Sequence, residues 1–484
     1  MAEAQPKLTR LIFCSTGSLI TNEKGPVMIS IAYRHIRKVV YSRVAKELAG
    51  SARYFERLWY WSPSEDDLLL AQLPGRQKQP IHSVEEFEGD PESHTSRQIV
   101  VLNGVLNTSL DIQRIFIGLK QKMARGDRLA AVLYNPYLRW IYNLADRFGL
   151  RSAPSASTFV TRVDLQNLAK ISGFEVVRLR PVSPFPFRLL GLGTLFDAIM
   201  RSLPFIRQLS PVQVTILRPI VLWKHKPSLT IIVPARNEKG NIRSALDRLP
   251  EIPGADVEVI YVEGHSSDGT WEEIQQVVED HDGPVNVRAC QQTGKGKADA
   301  VRLGFGMATG ELLTILDADL TMPPELLPRF SAAYCAGDGD FINGSRLVYP
   351  MESQAMRSLN RLGNIFFSKA LSWVLEVRLG DTLCGTKLVA SLDYRRMMEW
   401  RADFGDFDPF GDFEVLFPAA TLALGVVDVP IRYRDRVYGS TNISRFRHGF
   451  ELIRMTIIGL FRIRMGLGKS VAAPGDHRDR YHEA

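Results

Sequence analysis

Three apolar runs, Leu229 to Val233, Val257 to Val262 and Leu312 to Leu316, each break off into a turn of acidic and small polar residues. Runs of this length bounded by turn formers read as buried strands, and the stretches Asn241 to Leu249, Thr270 to Glu279 and Lys297 to Ala308 carry helical spacing. Strands alternating with crossover helices predict a parallel α/β sheet, with ligands held at the carboxyl ends of its strands. Residues just past each strand are therefore the ones to inspect.

After the first strand come Pro234, Arg236 and Glu238, and after the second Glu263, Asp268 and the turn to Thr270. After the third come Asp317, Ala318 and Asp319. Two carboxylates at i and i+2 beyond a strand offer hard oxygen ligands that suit Mg²⁺ or Mn²⁺. Alone, an Asp-x-Asp is as readily a solvated turn, but here it closes a series of three equivalent strand ends. The loop Gly294 to Lys297 lacks the full Walker spacing, and is either solvated or a diphosphate contact before a helix.

In order and spacing these segments resemble the family 2 glycosyltransferases of the glycosyltransferase A fold, most of all the dolichyl-phosphate mannose synthase group, over about residues 228–466. The resemblance implies an enzyme, a hexosyltransferase that moves a sugar from a UDP- or GDP-linked donor to a polyprenyl phosphate with inversion, using Mg²⁺ or Mn²⁺. Carried over, Pro234, Arg236, Glu238, Val262, Glu263, Asp268, Lys297, Asp317, Ala318 and Arg346 fall on the donor side. Asp317 and Asp319 form the metal pair, and Asp319, Asp412, Glu414 and Arg436 bear on catalysis. Lys387, in a turn that starts at Cys384, and Arg436 and Asn442, in and just after the run Asp435 to Gly439, fall on the acceptor side. Asp412 and Glu414 are otherwise read as solvated or cap-forming carboxylates. Glu263-Gly264 stands where the family pairs two Asp, and no Lys follows Gly439, so the resemblance favours glycosyl transfer without naming GDP-mannose.

The first half carries its own alternation. Gln98 to Leu102 and Arg128 to Tyr134 read as strands around a helix from Asp111 to Met123, followed by a helix from Asp164 and a strand from Phe174 to Leu179. This resembles the later part of a class I methyltransferase. No G-x-G precedes it, so the glycine turn that lets a backbone approach S-adenosylmethionine is missing, and a degenerate module is expected. The expected organisation is a methyltransferase-like α/β domain at 1–180, a Pro-rich connector at 181–227, and a glycosyltransferase A catalytic domain with a Rossmann-like mixed sheet at 228–440. A basic amphipathic helix at 441–469 and a flexible tail at 470–484 follow. A bifunctional methyltransferase-glycosyltransferase and a non-catalytic membrane scaffold are the competing readings.

Charge locates a partner. Between Arg432 and Lys469 nine Lys/Arg face only Asp435 and Glu451, a surplus equal to the +7 of the whole chain. One concentrated cationic surface argues against a general nucleic-acid binder and for an anionic membrane surface. On a helix, Phe446, Phe450, Ile453, Ile457, Leu460 and Phe461 share one face, and Arg447, His448, Glu451, Arg454 and Arg462 the other. Such a helix either packs into the core or lies on lipid; the charge favours lipid. The uncharged run Val415 to Val427 falls short of the ~20 residues a spanning helix needs and contains Pro418 and Gly425. With no secretory h-region and four scattered cysteines, a cytoplasmic protein, peripheral on the inner membrane face, is expected.

Overall fold

The computed structural model describes residues 24–64, 68–75, 77–148, 155–187, 192–223, 225–252, 255–350, 358–405, 408, 411–439 and 445–466. Two mixed sheets organise them. The first joins β1 (Arg57–Trp61), β2 (Gln77–Ile81), β3 (Gln98–Asn103), β4 (Arg128–Tyr134), β5 (Phe174–Val182) and β6 (Val212–Pro219) in the order β2-β1-β3-β4-β6-β5. β1 to β4 pair in parallel, while β6 runs antiparallel between β4 and β5. β6 corrects the sequence reading of 181–227 as a connector of short helices, and the first layer runs on to Pro219. Its alternating apolar residues fill both faces of the sheet, a pattern that the prolines on either side obscure.

The helix Ile112–Lys122 starts where expected, with the Asp111 carboxylate accepting from the Arg114 N–H, and buries Ile112, Phe116 and Leu119 against the sheet. Thr161 and Asp164 form a reciprocal cap on the helix Arg162–Ile171.

The second sheet joins β7 (Leu229–Ala235), β8 (Val257–Glu263), β9 (Asn286–Gln291), β10 (Leu312–Ile315), β11 (Phe341–Ser345), β12 (Lys387–Ala390) and β13 (Val426–Pro430). Its order is β13-β11-β12-β10-β7-β8-β9. β10, β7 and β8 are parallel as predicted and β9 joins them in parallel, but β12 runs antiparallel between β10 and β11, so the sheet is mixed. β9 escaped the sequence reading because its pattern is half-exposed, with Arg288 facing Glu258. The helix Lys297–Met307 packs Ala300, Val301 and Phe305 on this sheet, and Gly304 lies so close to Ile232 that a side chain there would collide.

Buried ion pairs join the two layers. The Asp340 carboxylate, 1% exposed at the start of β11, receives Arg128 at 2.8 Å and Arg125 and Arg218 at 3.4 Å, all from the first layer. Glu376 gathers Arg180 from β5, Arg207 from the turn Ile206–Leu209, and Arg464 from the chain's last described segment.

On the helix Arg445–Gly459 it is Leu452 and Met455 that enter the core. Phe450, Ile453, Ile457 and Phe461 are exposed, so four of the six residues predicted to share an apolar face point to solvent; Leu460 is half-buried. The side chains of 445–448 and the residues of the expected tail lie outside the described residues, as does Asn442.

Candidate functional site

The ends of β7, β8 and β10 sit side by side, and each turns off through a strained residue. Asn237, His265 and Leu320 have φ of 55°, 59° and 52°, three of the six non-glycine left-handed residues among those described. Such conformations are costly and persist where neighbours hold them. Here the neighbours are each other's loops: the Ser266 hydroxyl accepts from the Asn237 N–H at 2.9 Å, and the Asn237 side-chain oxygen accepts from the Ser267 N–H at 2.9 Å.

Three of the predicted residues meet across these loops. The Arg436 guanidinium donates to Glu238 Oε1 at 2.9 Å and to Asp319 Oδ2 at 2.6 Å, which joins the ends of β7 and β10 through the segment after β13. Burial pushes the Glu238 carboxyl up, and Arg436 pulls it the other way. Asp319 Oδ1 accepts from the Thr321 hydroxyl at 2.8 Å, which fixes its rotamer. Beside it, Lys297 Nζ lies 2.5 Å from Asp317 Oδ1. Burial would lower the lysine, but Asp317 and Asp412 outweigh it and raise its pKa; the Asp317 carboxyl is correspondingly held low by Lys297. Both groups are charged at neutral pH.

The turn from Cys384 to Lys387, expected on the acceptor side, presses against this pair. A side chain on Gly385 would overlap the Asp317 carboxylate and Lys297 Nζ, so only glycine allows the turn this close. Lys387, 2% exposed, donates to Asp412 Oδ1 at 2.6 Å. The ion pairs Lys297–Asp317 and Lys387–Asp412 thus flank this turn, with Asp319 held by Arg436 nearby.

Other predicted residues are placed differently. Arg346 is clamped by both oxygens of Asp381, at 2.6 and 2.9 Å, and covers the Tyr433 ring, so its fork is already engaged. Glu414 is enclosed by Arg302 at 2.8 Å and Arg401 at 3.2 Å and is a structural ion pair, not a carboxylate facing the cleft. The Val262 and Ala318 side chains are buried in the core, leaving only their backbone to face a ligand. Pro234 is half-buried, and Arg236 is exposed at the mouth. Glu263 accepts from the Ser266 N–H and from Gln291; burial opposes these bonds but they win and lower its pKa, so it shapes the loop. Asp268 accepts from Thr270 and the Lys239 N–H.

Sequence reasoning missed Tyr438. Its hydroxyl lies 3.4 Å from Asp268, and its ring covers Gly240 so closely that a side chain there would clash. With Arg436 on Glu238 and Asp319, and the Arg434 N–H on the Thr321 carbonyl at 2.9 Å, the segment 434–439 lies across all three strand ends. The only signal in sequence was its position inside the run Asp435 to Gly439.

A divalent ion fits the donor set: two adjacent carboxylates, both facing cations, supply hard oxygens, and Mg²⁺-type sites ordinarily take the remainder from substrate phosphates. Asp317 and Asp319 would hold it. Among the described residues no group of three or more His, Cys, Asp and Glu side chains is arranged to hold a metal ion.

Residues 230–385 match the family described as Glycosyl transferase family 2. A dolichol-phosphate mannosyltransferase of Pyrococcus furiosus is 34% identical over 25% of this chain and 33% of its own length; the chain thus spans a third of that relative. A dolichyl-phosphate hexose transferase of Haloferax volcanii is 29% identical over 46% of this chain and 89% of its own. A solved mannosyltransferase from Pyrobaculum calidifontis, in complex with GDP-Man and Mn²⁺, is 19% identical over 59% of this chain and 76% of its own, with a TM-score of 0.35, a level that supports nothing further about this chain. The family match falls on the second sheet and takes in Glu238, Lys297, Asp317 and Asp319, so residues 230–385 carry a glycosyltransferase domain of family 2.

Proposed function

We propose that the protein transfers a hexose, with inversion, from a UDP- or GDP-sugar to a polyprenyl phosphate at an anionic membrane face. The observation that carries this reading is Arg436 bridging Glu238 and Asp319 beside the Lys297–Asp317 pair, a cluster that concentrates mobile cations and fixed carboxylates where three strands end. A divalent ion on Asp317 and Asp319 would neutralise the leaving diphosphate. The chain's own contribution is Lys297 and Arg436, which exchange carboxylate partners for diphosphate oxygens as negative charge builds there. Donor entry requires the segment 434–439 to lift from Glu238, Asp319 and Gly240, and its return would cover the nucleotide and exclude water.

Lys387, held by Asp412, is the cation on the acceptor side. A lipid phosphate is anionic at neutral pH and needs orientation more than a general base, which suits a buried lysine better than a free carboxylate. Arg346, with Asp381, positions the turn through Tyr433 without having to touch the donor. The polyprenyl-phosphate acceptor follows the names of the Pyrococcus and Haloferax relatives.

The test is metal-dependent turnover on a panel of nucleotide-sugars with a polyprenyl-phosphate acceptor. Arg436→Ala should lose ~10²-fold or more in kcat, while Arg454→Ala, exposed on the helix Arg445–Gly459, should keep near-normal kcat in detergent. Equal losses would mean that Arg436 does not face the diphosphate.

The first layer is proposed to be a degenerate methyltransferase-like module without cofactor chemistry. Its strand ends are filled from within: the Asn103 amide donates to the buried Tyr60 hydroxyl at 2.8 Å, and the Tyr134 hydroxyl lies 3.1 Å from the point where a side chain would begin on Gly104. Calorimetric titration with S-adenosylmethionine should give no heat of binding; micromolar affinity would restore the bifunctional reading.

A further inference from the structure

Among the described residues, large apolar side chains are exposed in an uneven way. In the helix Arg139–Arg147 and its flanks, Tyr137, Trp140, Leu144 and Phe148 face solvent. In the stretch of the helix Gly193–Ser202 and the turn Ile206–Leu209, so do Leu195, Ile199, Phe205 and Leu209, with Phe205 83% exposed. Both elements belong to the first layer and line neither its sheet nor the transferase site. Single exposed apolar residues are ordinary, but clusters on successive helices mark an interaction surface.

The two elements are tied to each other and to the transferase half. The Asn135 amide donates to the carbonyls of Gln208 and Ser210 at 2.6 and 2.7 Å, and the Tyr142 hydroxyl donates to the Pro211 carbonyl. Arg207 reaches Glu376 at 2.6 Å, and the same carboxylate takes Arg464 at 3.2 Å; Arg201 donates to the Met465 carbonyl at 3.4 Å. Glu376 itself holds a left-handed φ of 59°, so the junction of these segments is built at a strained residue. Through Arg201 and Arg207 the stretch 193–209 reaches Met465 and Glu376, which follow the helix Arg445–Gly459 and the helix Ser358–Leu375 respectively, whose Phe450, Ile457, Leu362 and Phe366 are likewise exposed.

Charge names the occupant. Across 137–148, 192–209, 358–375 and 445–466 the sequence has eleven Lys/Arg against three Asp/Glu, a surplus of eight in a chain whose net charge is +7. Six of that surplus lie on 358–375 and 445–466 and two on the first-layer segments, whose Arg201 and Arg207 pair with Asp197 and Glu376 while Arg139 and Arg147 outnumber Asp146, so the exposed apolar side chains sit in segments that are cationic throughout. A second copy of the chain would bring the same positive charge to the contact, whereas an anionic bilayer offers both an apolar layer and the opposite charge.

We infer that the first layer serves as a membrane-docking module: its helices Arg139–Arg147 and Gly193–Ser202, with the turn after the latter, extend the lipid-facing surface of the transferase half and seat the enzyme on anionic lipid. This rests on the membrane-facing part of the function proposed above. Docking on two sides of the Glu376 junction would fix the height and tilt of the catalytic sheet over the bilayer, which one amphipathic helix does not do.

The test compares the full chain with Trp140→Ser/Phe205→Ser/Leu209→Ser, all exposed and remote from the site. Partition onto phosphatidylcholine vesicles containing phosphatidylglycerol should weaken about tenfold or more, while metal-dependent hydrolysis of the nucleotide-sugar in the absence of lipid stays unchanged. Brominated lipid should quench wild-type tryptophan fluorescence, and Trp140→Phe should remove part of that quenching. Unchanged partition in the triple variant, with no loss of quenching in Trp140→Phe, would overturn the inference. So would a dimer-to-monomer change in sedimentation with vesicle binding intact, which would assign the surface to a second copy. Loss of donor hydrolysis in the wild-type protein, with docking retained, would instead count against the transferase reading alone.

Discussion

Asp319→Ala is expected to lower turnover by ~10³-fold or more with the fold intact. The side chain is partly exposed and, among the described residues, bonded to Thr321 and Arg436 in the loops around it, so its removal opens no core cavity. The loss has two sources. Half of the carboxylate pair for the divalent ion disappears, and Arg436 loses its tie to the third strand end while its bond to Glu238 remains, which draws the guanidinium toward the first. Calorimetry with Mn²⁺ and a nucleoside diphosphate should report weakened metal affinity alongside the rate loss, while circular dichroism matches the wild type. Full activity of the variant in the presence of a chelator would sink the metal-assisted reading.

Asp340→Ala is expected to destabilise the protein by about 3–5 kcal/mol, the range for breaking a buried pair by removing one partner. One carboxylate here serves Arg125, Arg128 and Arg218, and its loss leaves buried Arg125 and Arg128 without their counter-ion, while Arg218 keeps Glu175 at 2.5 Å. Arg128 would keep its bond to the Ala423 carbonyl and Arg218 its bonds to the Gly337 and Asp338 carbonyls, which neutralise no charge. Burial pushes the Asp340 carboxyl up, but Arg218, Arg128 and Arg125 prevail and hold it at about 2. Because the folded value lies below the ordinary aspartate range, its stabilisation is fully present above about pH 4 and is lost as pH falls toward 2. Urea unfolding at neutral pH should place the variant's midpoint well below that of the wild type, and the gap should narrow in acid. An unchanged midpoint would mean that the layers are held by apolar contacts alone.

The two predictions separate the protein's parts: Asp319 bears on chemistry, Asp340 on the union of the layers. They also differ in how far the sequence foretold them. Asp317 and Asp319 were legible because a strand and its following turn are local, written in consecutive residues. Asp340 carried no such mark. Its significance lies in three arginines 122 to 215 residues away, and only folding brings them to it.

The sequence by itself determined the alternation of strands and helices, the strand ends where the candidate site gathers, the helix that begins at Asp111, and the likeness of residues 230–385 to a transferase family. Each follows from spacing within a few residues, where backbone geometry leaves little choice. Tertiary structure decided the rest. It placed Val212–Pro219 inside the first sheet, because strand pairing depends on partners and not on the prolines nearby. It turned Glu414 inward to Arg302 and Arg401, and closed Arg346 on Asp381, where sequence position alone had put both near substrate. On the helix Arg445–Gly459, periodicity found one apolar face but not what the core would take; Leu452 and Met455 pack with the helix Ser358–Leu375 and its neighbours, leaving Phe450, Ile453 and Ile457 outside. Pairing of charges and choice of face are long-range decisions, settled by what packs opposite, and no local pattern encodes them.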